Sequence, residues 1–303
     1  MKVSAIITTY NSEKYIRRTI ESIINQEKSG KLFDLEIIVV DDQSKDNTKN
    51  IVLEYNNIIF IQNPVNSGGP NKGRNIGLKI ATGDYICIVD HDDEWLPNKI
   101  SEQLEYIDNK NLIVTSNYIQ FDVQNNKETE RGNKSEKGFT YHPTNETFIN
   151  KLSKNKKGEK GYIGSILFHQ SLKTILFEEE FGMVDFDWLL KLFRNNSSVE
   201  INKPLYRRYF YGTNLSLDEK YRKNDYEFSI RTLLNYKIEY PLIVRKSIKR
   251  INGSMGRYYY VTENMKEARK YFLKSEIHFK TILYYITSFI GYRFVKKHFN
   301  VFG

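Results

Sequence analysis

The stretch Ala81-Thr82-Gly83-Asp84-Tyr85-Ile86-Cys87-Ile88-Val89-Asp90-His91-Asp92 carries an apolar, largely β-branched run straight into two carboxylates. A run without polar alternation is the pattern of a strand buried on both faces of a parallel sheet. The pattern also occurs upstream, where Ile37-Ile38-Val39-Val40 ends on Asp41-Asp42. Helical spacing lies between such runs. Over 13–26, after a cap at Ser12, Ile16, Ile20, Ile23 and Ile24 share one face, and 48–54 carries a shorter version. A strand over 58–62, a Gly-rich turn and a helix through Ala81 continue the alternation to about Asn117. This order predicts a doubly wound α/β sheet, in which ligands bind beyond the carboxyl ends of the strands. Thr8-Thr9-Tyr10-Asn11, Asp41-Asp42 and Asp90-His91-Asp92 all fall on that edge. Each alone is an ordinary turn, but in register they suit magnesium or manganese, which take one or two carboxylates and complete their shell with substrate phosphate.

Composition narrows the field. With 303 residues and 40% hydrophobic content, the chain has length for one large or two modest globular domains. Its single cysteine, Cys87, excludes an internal disulfide and reads as a small core residue in a reducing compartment. The opening residues 1–7 are too short an apolar run for a secretory signal, and no stretch reaches the roughly 20 apolar residues of a membrane span. The five histidines lack zinc-ligand spacing. The formal charge of +9 is concentrated at one end: residues 241–303 hold 13 Lys and Arg against 3 Glu and no Asp, which leaves −1 for the remainder. Tyr258-Tyr259-Tyr260, Tyr271-Phe272 and the apolar run 282–290 lie within this basic segment. Basic residues around apolar helices suit an anionic membrane surface, with packed helices and a solvated basic face as the alternative. No recognition motif for nucleic acid accompanies the charge, and no nucleic-acid partner is expected.

The first ~120 positions resemble family 2 glycosyltransferases of the GT-A fold, a Rossmann-like nucleotide-binding sheet with an acceptor-binding lobe. Val3-Ser4-Ala5-Ile6-Ile7-Thr8-Thr9-Tyr10-Asn11 is similar to the family's opening strand and turn. Ile38-Val39-Val40-Asp41-Asp42 with Ser44, the segment Asn66-Ser67-Gly68-Gly69-Pro70 through Arg74-Asn75, and Asp90-His91-Asp92 as the Asp-x-Asp motif follow in family order. The resemblance implies that Asp42 accepts from the imide of uracil or thymine, with Thr8 and Tyr10 lining that base. It implies further that Arg74 reaches base or phosphate oxygens, Asp90 faces the ribose or a metal-bound water, and Asp92 ligates Mn²⁺ or Mg²⁺. Asn66 and Lys72 read as solvated loop residues.

The later half supplies a base. Residues 177–192 resemble the family's acid pair opening a helix, the second member being the catalytic base, here Asp185; Val184 stands at the first position and Lys191 at a usual Arg. The run Glu178-Glu179-Glu180 reads as a solvated face, and Asp187 as a first-turn acid. Arg207 or Arg208 is a candidate phosphate clamp before the loop 212–216, and a His common there is replaced by Tyr209 or Phe210. The divisions expected are 1–117 for a nucleotide sugar, 118–224 for acceptor and base, and 225–303 as a basic helical appendage, in which 265–272 resembles one helical-hairpin unit. The implied function is inverting transfer from a nucleotide diphosphate sugar, UDP-sugar foremost, to a saccharide or lipid-linked saccharide in surface-glycan synthesis. The expected location is cytoplasmic or peripheral on the inner membrane face. The competing readings are a glycoside hydrolase, a nucleotidyltransferase, and an inactive GT-A-like binding or scaffold protein.

Overall fold

The computed structural model describes residues 1–154, 159, 161–212 and 218–298. Strand and helix alternate as β1 (Lys2–Thr9), α1 (Ile16–Ile24), β2 (Asp34–Asp41), α2 (Thr48–Leu53), β3 (Ile58–Gln62), α3 (Pro70–Ile80) and β4 (Tyr85–Asp90). There follow β5 (Glu94–Trp95), α4 (Lys99–Gln103), β6 (Ile113–Asp122), β7 (Lys127–Arg131), β8 (Phe139–His142), α5 (Glu146–Leu152), β9 (Leu167–His169), α6 (Phe186–Phe193) and β10 (Ser198–Phe210). All ten strands join one sheet in the order β3-β2-β1-β4-β9-β6-β10-β5, with β7 added on β6 and β8 on β10. The β3-β2-β1-β4 half is parallel, as the unbroken apolar runs require. The short strand β9 is antiparallel to both β4 and β6, so the second half is mixed.

The register places the acids. Thr8 lies opposite Asp90, and Thr9 opposite Asp41, so three strand ends coincide on one edge. Helix α3 packs tightly enough on β1 that a Cβ at Gly77 would overlap Ile6. Helix α1 begins at Ile16, later than its apolar spacing suggests, because Ser12 does not cap with its side chain. The Ser12 hydroxyl is hydrogen-bonded to Thr9, and its carbonyl receives Tyr15 N at 2.8 Å and Ile16 N at 3.0 Å.

The chain divides into two compact units. The first holds the sheet. The second holds α7 (Glu219–Leu234), α8 (Pro241–Val261), α9 (Met265–Leu273), α10 (Phe279–Thr287) and α11 (Tyr292–His298). Its core is aromatic: Met255, Tyr259, Tyr260, Ala268 and Phe272 are buried, with Tyr226, Tyr271, Tyr284 and Tyr292 against them. Among the described residues, no helix is long and apolar enough to cross a membrane.

Glu36 on β2 ties the first unit's central strands together. It accepts from Lys2 Nζ at 2.7 Å, Thr82 N at 2.8 Å and the hydroxyls of Ser4 and Thr82. Burial alone would raise this carboxyl, but these donors overcome it and hold its pKa at about 2. A depressed folded-state pKa stabilises above the unfolded value and loses that contribution as pH falls through the folded one. Wild-type stability should therefore drop between about pH 5 and pH 2 by up to about 3 kcal/mol from this group. Urea unfolding across that range checks it, and Glu36→Gln should be less stable at neutral pH with a flatter acid limb.

Candidate active site

Strand β4 delivers Asp90 to the sheet edge, where its two oxygens are divided between elements. Oδ1 pairs with Arg74 Nη2 of α3 at 2.8 Å, and Oδ2 accepts the Tyr162 hydroxyl at 3.1 Å. Burial pushes the Asp90 carboxyl up, but the Arg74 guanidinium holds it below the usual carboxylate range. Arg74 is 4% exposed. Burial works against its charge, which Asp90 and then Asp185 sustain. Burial and the charge of Asp90 keep the Tyr162 phenol protonated far above its ordinary range, so it remains a donor.

The residues after Asp90 are fixed from two sides. Arg18 of α1 donates through Nη2 to the Asp92 carbonyl at 2.6 Å and to the Tyr211 hydroxyl at 2.9 Å, and its guanidinium lies 3.6 Å over the Tyr209 ring. The Thr19 hydroxyl is shared between the carbonyls of His91 (2.8 Å) and Asp93 (2.7 Å). Asp93 is buried, accepting the Tyr206 hydroxyl and Tyr209 N at 3.0 Å, and burial beside Asp92 and Asp90 raises its carboxyl well above the ordinary value. Asp92 differs. Among the described residues its half-buried carboxylate receives no side-chain donor, and burial pushes it up, with the Asp90 charge adding to that and His91 opposing it.

Two arginines were equivalent in the sequence and are not so in the fold. Arg207 forms ion pairs with Glu94 at 3.3 Å and Glu128 at 3.0 Å. Arg208 turns toward the acids: its guanidinium lies 4.4 Å over the Tyr162 ring and feels Asp93 and Asp90. Among the described residues it makes no ion pair or hydrogen bond. Tyr209 donates to Glu94 at 2.8 Å, so it is Tyr211 that reaches the Asp92 turn. Thr213, Asn214, Leu215 and Ser216 of the expected covering loop lie outside the described residues.

Asp185 stands immediately before α6, as the sequence suggested, and its charge acts on Arg74 and Tyr162. The loop presenting it depends on Glu178, which is not the solvated residue expected. The Glu178 carboxylate accepts four successive backbone N–H groups, from Phe181 (2.8 Å), Gly182 (3.2 Å), Met183 (3.2 Å) and Val184 (3.1 Å), besides Asn71 Nδ2 at 3.0 Å. Asn71 returns the contact by donating to the Val184 carbonyl at 3.0 Å, and its own N–H donates to Gly182 O at 2.9 Å. Gly182 has φ +72°, and a Cβ at Gly69 would overlap its carbonyl. Four amides aimed at one carboxylate left no periodic signal, so only the Glu-x₃-Gly spacing hinted at it.

Asp42 is 8% exposed and already organises the Gly-rich loop. Its Oδ1 accepts Asn63 Nδ2 (2.7 Å), Ser67 N (3.0 Å) and Ser67 Oγ (2.9 Å), while among the described residues Oδ2 accepts only Ser67 N at 2.9 Å. Asn66 donates to the Asp42 carbonyl at 2.8 Å, a role in place of a solvated one. Thr8 is buried beneath Gly73 with its carbonyl 3.2 Å from His91 Nδ1, and Tyr10 is 44% exposed. The fold thus brings Arg74, Asp90, Asp92, Asp185 and Arg208 into one electrostatic cluster, with Asp42 on the same sheet edge at the end of β2, one strand removed from β4.

Among the described residues, no group of three or more His, Cys, Asp or Glu side chains is arranged to hold a metal ion. Asp92 remains as a lone carboxylate donor, a set that suits a cation arriving with substrate phosphates rather than a protein cage.

The family model for glycosyl transferase family 2 matches residues 4–175, more than half of the chain. The chain belongs to that family. A poly(ribitol-phosphate) beta-glucosyltransferase of Bacillus spizizenii is 44% identical over 97 residues, 31% of this chain and 15% of the relative. The Escherichia coli UDP-Glc:alpha-D-GlcNAc-diphosphoundecaprenol beta-1,3-glucosyltransferase WfaP is 38% identical over 119 residues, 38% of this chain and 45% of the relative. The chain therefore matches less than half the length of either relative. Among solved structures, Staphylococcus aureus TarS 1-349 in complex with UDP-GlcNAc superposes with a TM-score of 0.64 at 23% identity, covering 95% of this chain and 79% of that one. That likeness fixes the fold of this family 2 member as GT-A.

Neighbouring carboxylates in one turn should behave oppositely on truncation. Asp93→Ala strands the buried Tyr206 hydroxyl and Tyr209 N–H and should cost about 3 kcal/mol in urea unfolding. Asp92→Ala removes a charge already disfavoured by burial and should leave stability within about 1 kcal/mol of wild type.

Proposed function

We propose that the chain transfers a sugar from a UDP-sugar to a hydroxyl of a saccharide or lipid-linked saccharide acceptor, with inversion. The observation that carries this is the grouping of Asp185, Arg74, Asp90 and Arg208 around the carboxyl end of β4, with Asp92 receiving no side-chain donor among the described residues. UDP-GlcNAc in TarS and the acceptors named for the two relatives support a nucleotide-sugar donor and a glycan or lipid-linked acceptor. In this reading residues 1–117 hold the donor, 118–224 contribute base and acceptor contacts, and 225–303 lie peripherally on the inner face of the cytoplasmic membrane.

Each residue has a task in the reaction. Asp42 Oδ2, with acceptor capacity left, takes the imide N–H of uracil, while Thr8 and Tyr10 line the ring. The acceptor oxygen attacks the anomeric carbon as its proton passes to the Asp185 carboxylate. The bond from that carbon to the diphosphate oxygen breaks, and its electron pair leaves with UDP. Arg208 supplies fixed positive charge where negative charge grows, without reorganisation at the moment of transfer. Asp92 would hold a Mn²⁺ or Mg²⁺ ion, which neutralises diphosphate charge as a Lewis acid when bound. Arg74 keeps Asp90 ionised and oriented beneath this assembly.

A screen of nucleotide sugars with manganese, reading UDP release and ligand-detected binding, tests the reading. Asp185→Ala should lower turnover about 10²-fold or more with donor affinity retained. Asp92→Ala should lose both turnover and the cation dependence of donor affinity. Donor binding without turnover over a broad acceptor panel would instead identify a nucleotide-sugar-binding protein.

A further inference from the structure

Helix α10 is built inside out for a helix that faces water. Its inward positions are Thr281 and Tyr284, followed by Ser288. Thr281 and Ser288 are buried, and half-buried Tyr284 stacks on Phe272 at 5.6 Å and meets Tyr260 edge-on at 5.1 Å. The opposite positions, at spacings of three and four, are Phe279 (78% exposed), Ile282 (47%) and Ile286 (57%), and Phe289 (67%) and Ile290 (54%) follow in the turn after the helix. A solvated helix would present tyrosine hydroxyls outward and bury isoleucine. Here Thr281, Tyr284 and Ser288 face inward, while Phe279, Ile282 and Ile286 share the outer face and Phe289 and Ile290 are exposed just beyond it, more exposed apolar side chains than scattered surface positions provide. Phe294 on α11 is a further exposed apolar residue, at 48%.

Charge selects what covers this face. Residues 277–297 contain Lys280, Arg293, Lys296 and Lys297 and no Asp or Glu. Arg293 is paired with Glu263 at 2.9 Å, whereas Lys280 and Lys297 are exposed and make no ion pair among the described residues. Arg269 lies 4.6 Å over the Phe289 ring and donates to the Ser288 carbonyl at 3.0 Å, holding a cation beside Phe289. A second copy of this surface would bring like charges together, and an acidic protein partner would satisfy the cations but not the apolar row. An anionic lipid surface satisfies both, accepting aliphatic side chains below its headgroups and Lys or Arg among them. We propose that the α10–α11 face docks on an anionic lipid bilayer, with Phe279, Ile282, Ile286, Phe289 and Ile290 entering the headgroup boundary and Lys280 and Lys297 engaging phosphate. This rests on the peripheral-membrane part of the reading above and is independent of sugar transfer.

The full chain is sedimented with vesicles of equal parts phosphatidylglycerol and phosphatidylcholine, and with phosphatidylcholine alone. Wild type should bind the anionic vesicles and bind the neutral ones at least tenfold more weakly. The triple variant Phe279→Ser, Ile282→Ser, Ile286→Ser should lower partitioning about 10²-fold from the lost apolar burial. Lys280→Glu with Lys297→Glu should lower it at least tenfold, at about fivefold for each cation removed. Both variants alter exposed positions and should retain the wild-type melting temperature. Absence of binding to anionic vesicles, or binding that both variants leave unchanged, overturns the proposal. Self-association of wild type that the triple variant abolishes, without vesicle binding, overturns it in favour of a second copy. UDP-sugar binding is measured on the same samples, so failure of the donor reading registers separately from failure of docking.

Discussion

The pair of buried Arg74 and half-buried Asp90 is the interaction on which the candidate site depends. A guanidinium excluded from water is tolerated only where opposite charge compensates it, and here Asp90 does so at 2.8 Å with Asp185 contributing from another element. The converse holds for Asp90, whose ionised form would be untenable at its depth without the arginine and the Tyr162 hydroxyl. One charge balance therefore fixes the end of β4, the face of α3 and the approach of the segment before α6. Removal of either partner would leave the other buried and uncompensated, which is why the three elements cannot drift independently.

Around that pair the acids divide their work by hydrogen-bond capacity. Asp41 is filled by Ser44 and Gln62, Asp93 by Tyr206 and the Tyr209 amide, and Glu178 by four successive amides. A carboxylate whose lone pairs are saturated is a structural post. Among the described residues Asp92 receives no such side-chain donor, and Asp42 keeps capacity on one oxygen. Unsatisfied acceptors at a sheet edge persist only where something outside the fold satisfies them or water does, and this contrast in hydrogen-bond capacity divides the acids more sharply than their position in the chain.

The parallel half of the sheet was legible because burial on both faces demands uninterrupted apolar runs, and the run lengths then fixed where the acids emerge. The register of Thr8 with Asp90 and Thr9 with Asp41 follows from those runs alone. The start of α1 was misplaced because the Ser12 hydroxyl is bonded to Thr9 rather than to the helix amides, a choice between two short-range bonds that spacing cannot reveal. Glu178 was unreadable for a related reason: a carboxylate that orders a loop by backbone contacts has the composition of a solvated acid. The choice between Arg207 and Arg208 turned on strand alternation across the irregular pairing of β10 with β6, whose register shifts at Pro204 break the simple period of two.

Net charge adds a last constraint on how an anionic donor would be captured. The segment before residue 241 carries −1 overall, while 241–303 carries +10. A field summed over the sheet-bearing part would not draw a nucleotide diphosphate, and exposed charges more than about 10 Å away are screened at ordinary ionic strength. Within that part, Arg208 and the Arg74 guanidinium place positive charge beside the acids of the sheet edge, both sustained by those acids. The excess positive charge of residues 241–303 lies instead in the helical unit, on the same segment as the exposed apolar row of α10.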